Sequence, residues 1–340
     1  MNATERKSQS GPKIIPRSEH HISRADISEN ALKVLYRLKK SGFAAFLVGG
    51  GVRDLLLGGH PKDFDLVTDA HPEEVRRLFR NCRLIGRRFR LAHVHFGREI
   101  IEVATFRAAA DGGDHTDRSH SHSGRILRDN VYGTIDEDIW RRDFTVNALY
   151  YNIADFSVWD YTSGLSDLRD RKLRLIGDPM TRYREDPVRM LRAMRFAAKL
   201  DFDLADETAG PIGELGDHLS DVPAARLFDE VLKLFQAGQA LKSFELLLEF
   251  DLLRYLFPAT DAALKADDGG AAARLIRAGL ANTDERIAQD KSITPMFLYA
   301  VLLWPAIKRS AESLQARSGA SEPDAMSEAC HRVNAGTSFT

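Results

Sequence analysis

Residues 43–68 read FAAFLVGGGVRDLLLGGHPKDFDLVT, and the order of textures within them decides the fold class. FAAFLVGG is a short apolar run ending in glycines, the pattern of a buried strand entering a tight turn. VRDLLLG then starts a helix that Gly58–Gly59 stops, and FDLVT is a second strand. Working outward, Ile27, Ala31, Leu32, Leu35, Tyr36 and Leu38 recur at helical spacing, with Ser28 or Asp26 as the cap. Downstream, Pro72–Phe79 reads as a helix, and HVHF and EIIEVATF as further strands. The alternation predicts an α/β head over residues 27–160.

Beyond Trp159 the chain changes character. From Pro187 onward the apolar repeats are helical: Val188, Leu191, Met194, Ala198, then Leu227, Val231, Leu234, Phe235, then Phe244, Leu247, Leu248. This second part is predicted to be all-α. Residues 1–26 are polar and read as a flexible leader. Residues 108–124, AAADGGDHTDRSHSHSG, lack apolar periodicity and read as a mobile surface loop. His115, Asp117, His120 and His122 within it superficially resemble a metal cluster, but no scaffold there fixes ligand geometry. Residues 309–340 read as a weak helix followed by a disordered end.

Lys plus Arg number 48 and Asp plus Glu 49 among 340 residues, so the formal net charge is −1. A uniformly basic nucleic-acid coat is excluded, whereas a basic face offset by an acidic one is not. Two cysteines, Cys82 and Cys330, cannot build a disulfide framework or a four-cysteine zinc site, which suits a reducing compartment. The N-terminal MNATERKSQSGPK has no apolar signal core, and no apolar stretch approaches the ~20 residues of a membrane span. The expectation is a soluble cytoplasmic protein without a membrane span.

Four segments carry chemistry. A glycine-rich turn between strand and helix, LVGGGVRDLLLG at 47–58, lets backbone amides approach a phosphate at a helix N-terminus. It is neither a P-loop, which needs Gly-Lys-Ser/Thr, nor a dinucleotide fingerprint, because Asp54 stands where the third glycine belongs. Next, Asp63 and Asp65 flank Phe64 in a strand and would share a face. Side by side, such carboxylates repel unless cations sit between them, and hard oxygen ligands favour Mg²⁺. Two such ions stabilise the entering and leaving oxygens of a phosphoryl displacement. A bare Asp-x-Asp is usually a solvated pair; the glycine turn one helix upstream reverses that reading.

The third segment is RRDFTVNAL at 141–149. Adjacent arginines match phosphate oxygens, Asp143 could complete the metal site, and Asn147 could hold a ribose hydroxyl. Glu102, between Ile101 and Val103 in a strand, competes with Asp143 as the third carboxylate. Fourth is YREDPVRMLR at 183–192. Asp186 before Pro187 is a helix start with Asp186 as N-cap, and with Arg189 it could also face a nucleotide base. In addition, seven arginines (76, 77, 80, 83, 87, 88 and 90) interleaved with Phe79 and Phe89 suit a polyanion groove.

Together these segments resemble the class II branch of the polymerase β-type nucleotidyltransferases, which holds bacterial poly(A) polymerases and tRNA CCA-adding enzymes. The match runs from about Ile14 to Pro305. LVGGGVRDLLLG with KDFDLVT is similar to the catalytic motif, RRDFTVNAL to the second, DYTSGLSDLRDRKLRLIG to the neck entry, and REDPVRMLRAMRF to the nucleobase-recognition motif. RILRDNVYGTIDEDIWRRDFT, NCRLIGRRFRLAHVHFGREIIEVATFR and ISENALKVLYRLKKSGF look like the poly(A) polymerase version rather than the CCA-adding one.

The resemblance implies a nucleotidyltransferase head with a small mixed sheet and helices at 27–160. It also implies a neck at 161–205 with the base-recognition helix and an RNA-binding helical body at 206–308. Asp63 and Asp65 would be the metal ligands, for two Mg²⁺ ions with Mn²⁺ as substitute, and Asp143 of the RRD motif the third catalytic carboxylate, ahead of Glu102. Gly50, Gly51, Arg53 and Arg142 would cradle the triphosphate of ATP. Asn147, Asp186, Arg189 and Arg192 would hold the rest of the nucleotide, and Arg83, Arg87, Arg88 and Arg90 the RNA. The implied activity is template-independent addition of AMP to RNA 3′ ends of mRNA and small RNAs, promoting decay. The alternatives are CCA addition and an RNA-binding protein with weak catalysis. The basic tail common in this branch is missing after LLWPAIKRSAESLQARSG, as in a truncated or frame-shifted gene. Protein partners and oligomeric state are not legible.

Overall fold

The computed structural model describes residues 11–86, 90–108, 118–120, 126–129 and 131–338. The chain divides into two compact units, Met1–Asp178 and Pro179–Thr340.

The first unit is built on a sheet whose strands, in chain order, are β1 (Lys13–Ile15), β2 (Ala45–Val48), β3 (Asp65–Thr68), β4 (Cys82–Ile85), β5 (Leu91–Phe96) and β6 (Glu99–Thr105). A short separate ribbon, β7 (Arg118–His120) with β8 (Ile126–Asp129), precedes β9 (Leu149–Asn152) and β10 (Val158–Asp160). The spatial order is β1-β10-β9-β2-β3-β6-β5-β4. Every neighbouring pair is antiparallel except β3 against β6, the parallel seam. The mixed sheet expected from the resemblance is therefore present.

Sequence texture follows position in the sheet. Central β2 is buried at all four residues, hence the unbroken AFLV. Nearer the edge, β5 alternates: Ala92 and Val94 are buried, whereas Leu91, His93 and His95 are partly exposed. In β6, Ile101 and Val103 point inward and Glu102 outward. One face therefore stays open over β6, β5 and β4. Over β2, β3 and β9 the same face carries an apolar cluster of Phe46, Val48, Val67, Phe106, Ile139, Ala148, Tyr150 and Ile176. Each large apolar side chain buried there contributes roughly 1.5–3 kcal/mol. Asp65 lies two residues from Val67 on that face, where the apolar patch gives out.

Three of the head's helices lie where the patterns placed them. Glu29–Lys40 is N-capped by Ser28, whose hydroxyl accepts from the amides of Asn30 and Ala31. Gly50–Leu56 follows β2, and Pro72–Leu78 follows β3.

Several boundaries need correction. Within the supposed leader 1–26, β1 pairs with β10 and Ile22 is buried, because edge pairing satisfies a strand too short to read from texture. The head continues past residue 160: Leu175 bridges Phe144 and Ile176 enters the core cluster. Part of the supposed loop 108–124 is strand β7, while 109–117 and 121–125, with His115, Asp117 and His122, lie outside the described residues.

The second unit is helical, as its periodicity predicts. Val188–Leu200 is buried on most sides and ends at Asp201 in the left-handed conformation, φ 56°. Ala224–Phe235 packs on it, as does Ala240–Glu249. The reading of 309–340 as weakly structured is corrected. Pro295–Ser318 is one 24-residue helix capped by Thr294, and Glu322–Ala335 is another capped by Ser321. Their seam is Ala311 against Ala325 and Ala329, small residues that let backbones approach, flanked by partly buried Ile307, Leu314 and Met326. Among the described residues, no helix is long and apolar enough to cross a membrane.

Candidate active site

The site forms where β2 ends and β3 begins, beside the middle of β6. Val48 pairs with Asp65 across β2 and β3, and Asp65 pairs with Glu102 across the parallel seam. Glu102 in turn faces His93 of β5, and His93 faces Arg83 of β4. Cross-strand partners share a face, so one polar row runs Asp65, Glu102, His93, Arg83.

Asp63 does not lie in the strand as expected; β3 begins at Asp65. The alternation nevertheless holds, with Phe64 buried and both aspartates exposed. Asp63, Asp65 and Glu102 line one open pocket of about 680 Å³ together with Lys62, His93 and Arg98. Surrounding protein atoms push the Asp65 carboxyl above its ordinary range. Glu102 and Asp63 add to that push, and Arg142 opposes it. His93 Nε2 is 3.2 Å from Glu102 Oε1, but off the hydrogen-bond direction, so this buried nitrogen lacks a hydrogen-bond partner. Asp143 is elsewhere. It does not line the pocket, and its Oδ1 accepts from the Phe144 amide at 2.8 Å and from Asn147 Nδ2 at 3.4 Å. Of the two candidates for a third carboxylate, Glu102 is the one beside Asp65.

The glycine turn closes the other flank. Gly49 has φ 74° and ψ −142°, a backbone region open essentially to glycine alone. A Cβ there would lie 3.7 Å from Asp65 Oδ2, so the turn runs directly against the carboxylate. Gly50 and Gly51 open the helix that follows.

The arginines are more committed than their types suggested. Arg53 is buried; its Nε donates to Asp54 Oδ1 at 2.8 Å and its Nη1 to Asn147 Oδ1 at 2.5 Å. Arg53 and Asn147, expected to contact nucleotide, thus bind each other and brace the turn. Arg142 Nε donates to the Tyr150 hydroxyl at 2.8 Å, and Nη2 to Asp138 Oδ2 at 2.9 Å. Burial disfavours this charge, but Tyr150 and Asp138 outweigh that and raise the Arg142 pKa. Sequence reasoning missed Asp138, although its i,i+4 spacing to Arg142 within IDEDIWRRD was a visible signal.

In the second unit, Asp186 is not the helix cap expected. Pro187 takes that position without a side-chain bond. The Asp186 carboxylate instead receives both Nη atoms of Arg226 at 2.7 Å, a bidentate pair. Arg189 is buried and donates to the Arg182 carbonyl at 2.8 Å. Arg192 lies over the Phe196 ring at 5.5 Å. Of the four arginines proposed for RNA, Arg83 is exposed on β4 and Arg90 is paired to Glu73 at 2.9 Å. Arg87 and Arg88 lie outside the described residues.

Among the described residues no three His, Cys, Asp or Glu side chains form a ready-made metal cluster. The donor set still fits Mg²⁺, which takes one or two carboxylates and completes its shell with water and substrate phosphates. Three carboxylates on one open pocket, with Asp65 pushed up by its neighbours, are a charge arrangement that a divalent cation relieves.

A glycine turn packed against paired carboxylates on a mixed sheet, leading into a helical unit, defines a nucleotidyltransferase of the polymerase β type. A family model for the poly A polymerase head domain matches residues 45–174. A second, for a probable RNA- and SrmB-binding site of polymerase A, matches 201–264. The chain is 54% identical over 322 residues to poly(A) polymerase I of Escherichia coli O6:H1, covering 94% of this chain and 69% of that protein. The CCA-adding enzyme of Lactobacillus helveticus is 35% identical over 227 residues, 67% of this chain and 55% of that one. Among solved structures, a tRNA nucleotidyltransferase complexed with a primer tRNA and an incoming ATP analog superposes with a TM-score of 0.60. It shares 26% identity, and the match covers 85% of this chain and 80% of that one. The chain belongs to the poly(A) polymerase I family.

Proposed function

We propose that this protein extends RNA 3′ ends without a template, transferring AMP from ATP to the terminal hydroxyl and releasing pyrophosphate. The observation that carries the reading is the register of Asp65 with Glu102, set against the Gly49 turn, in a chain 54% identical to a poly(A) polymerase I. The new bond joins the 3′ oxygen to the α-phosphorus; the bond broken joins that phosphorus to the bridging oxygen of pyrophosphate. Two Mg²⁺ ions, when bound by Asp63 and Asp65 with Glu102 beside them, supply the Lewis acidity that acidifies the hydroxyl and neutralises the leaving group. Mn²⁺ would substitute, having the same preference for oxygen ligands.

The chain's own residues do the positioning. The Gly49–Gly51 turn admits the triphosphate close to the backbone. Arg142, held charged by Asp138 and Tyr150, faces the phosphates from that flank, and Arg53 with Asn147 keeps the turn in place. In the second unit, Asp186 and Arg189, with Arg192 near them, select adenine. The Asp186–Arg226 pair holds the acceptor in one orientation, which a choice between bases requires. The acceptors are mRNA and small RNA 3′ ends, and the reaction belongs in the cytoplasm.

Primer extension tests this. Oligo(A) RNA with ATP alone should yield long A-tails. A stop after three nucleotides on tRNA supplied with CTP and ATP would instead mark a CCA-adding enzyme. RNA binding with no product would leave a binding protein.

A further inference from the structure

We propose that Lys62 and Arg98 clamp the last backbone phosphate of the RNA acceptor on the flank of Asp65 opposite the glycine turn. The assignment rests on the nucleotidyl-transfer reading above. Strand β3 stands between β2 and β6, so Asp65 has two different sides. Toward β2 lies Gly49, whose close approach admits the triphosphate. Toward β6 lies the pocket lined by Glu102, Lys62 and Arg98. An in-line displacement requires the entering and leaving oxygens on opposite sides of the phosphorus. With pyrophosphate leaving on the glycine flank, the 3′-hydroxyl must arrive from the β6 flank, and its strand must lie across that pocket.

The cations on the two flanks differ in the same sense. On the glycine flank Arg53 and Arg142 are tied to protein partners. On the β6 flank Lys62 and Arg98 are exposed, and among the described residues neither makes an ion pair or hydrogen bond. The nearest acid in sequence, Glu99, is already taken: Asn30 Nδ2 donates to its Oε2 at 2.6 Å and the Ser28 hydroxyl donates to its Oε1. That anchorage also ties the two-residue hairpin loop Gly97-Arg98, where Gly97 has φ 62°, to the cap of the Glu29–Lys40 helix. Two uncommitted cations beside three carboxylates suit a ligand that carries negative charge next to the metal site without displacing the metal. A strand phosphate one bond path from the attacking hydroxyl meets that description. Because the contact is to backbone, it holds RNA irrespective of base.

The test is steady-state primer extension with oligo(A) and ATP–Mg²⁺, comparing the wild type with the Lys62→Ala/Arg98→Ala double variant. The primer KM should rise about tenfold, with kcat and the KM for ATP within about twofold of wild type. The slope of log(1/KM) for primer against log salt should fall by about 0.7, one single-strand phosphate contact. Lys33→Ala, which removes an exposed lysine outside the pocket, should change neither. An unchanged primer KM in the double variant overturns the clamp. A raised KM for ATP in its place would also overturn it, by assigning the two cations to the triphosphate. A wild type that binds oligo(A) but adds no AMP overturns the transfer reading, and the clamp falls with it.

Discussion

Asp65 and Glu102 face each other across the one parallel seam of the sheet, so two carboxylates from strands far apart in sequence share one end of one face. Burial, and Glu102 next, push the Asp65 carboxyl above its ordinary range, and the arrangement makes sense as one half of a cation site. Glu102→Gln should lower kcat for AMP incorporation by at least about 100-fold, the scale of losing a transition-state charge partner. Asp143→Asn, away from the pocket, should lower it less than about tenfold. Single-turnover incorporation of labelled ATP separates the two, and a larger loss at Asp143 would reverse the assignment.

Gly49→Ala should be harmful through its backbone, beside Asp65. A side chain at φ 74°, ψ −142° stores strain on the order of 1–3 kcal/mol, and its Cβ would sit against Asp65. Urea unfolding should show the loss of stability. AMP incorporation should fall further than the unfolded fraction explains.

Arg142→Lys keeps a charge but not the fork that meets Tyr150 and Asp138 together. The Tyr150 hydroxyl still donates to Asp138 Oδ2 at 2.9 Å, so losing the charged fork should cost about 1–3 kcal/mol. Thermal unfolding checks this, with a raised KM for ATP as the functional sign. Unchanged stability would mean that the lysine recovers both contacts.

The Asp186–Arg226 pair should show coupling of about 2 kcal/mol in a double-mutant cycle of Asp186→Asn and Arg226→Ala, because it is bidentate and partly screened from water. Base selectivity should loosen in either single variant. The ratio of ATP to CTP incorporation measures it.

His20 predicts a pH dependence. Burial, then Arg17 and His21, lower its pKa below 6.5, against the opposing pull of the hydrogen bond it donates from Nε2 to the Phe156 carbonyl at 2.9 Å. The unfolded chain therefore binds the proton more readily than the folded one. The stabilisation is fully present above pH 6.5 and is lost as pH falls toward the folded value. Urea midpoints at pH 7.5 and pH 5.5 should differ in that direction, and His20→Gln should shrink the difference.

What could be read directly was what neighbours in sequence decide. The apolar run before Gly49, the helix stopped by Gly58–Gly59, and the exposed–buried–exposed order of Asp63, Phe64 and Asp65 are local patterns, and each survives in the folded chain. Local texture also misled in places. Asp186 before Pro187 looked like a cap, since no local pattern reveals an Arg226 that lies 40 residues away. Likewise the 307–333 segment, whose buried seam is mostly alanine with a few larger apolar residues between many small polar ones, did not announce two packed helices.

The residues alone determined an α/β head with a glycine-rich turn, paired aspartates and a helical second part, because backbone propensity and hydrophobic period act over a few residues. Tertiary structure decided the rest. It brought Glu102 rather than Asp143 to Asp65, bound Arg53 to Asn147 and Arg142 to Asp138 and Tyr150, and left Lys62 and Arg98, among the described residues, unpaired at the pocket rim. Residue type specifies what a side chain can bond to. Which of several equivalent partners it meets depends on strand order and register, and those are set only when the whole sheet closes.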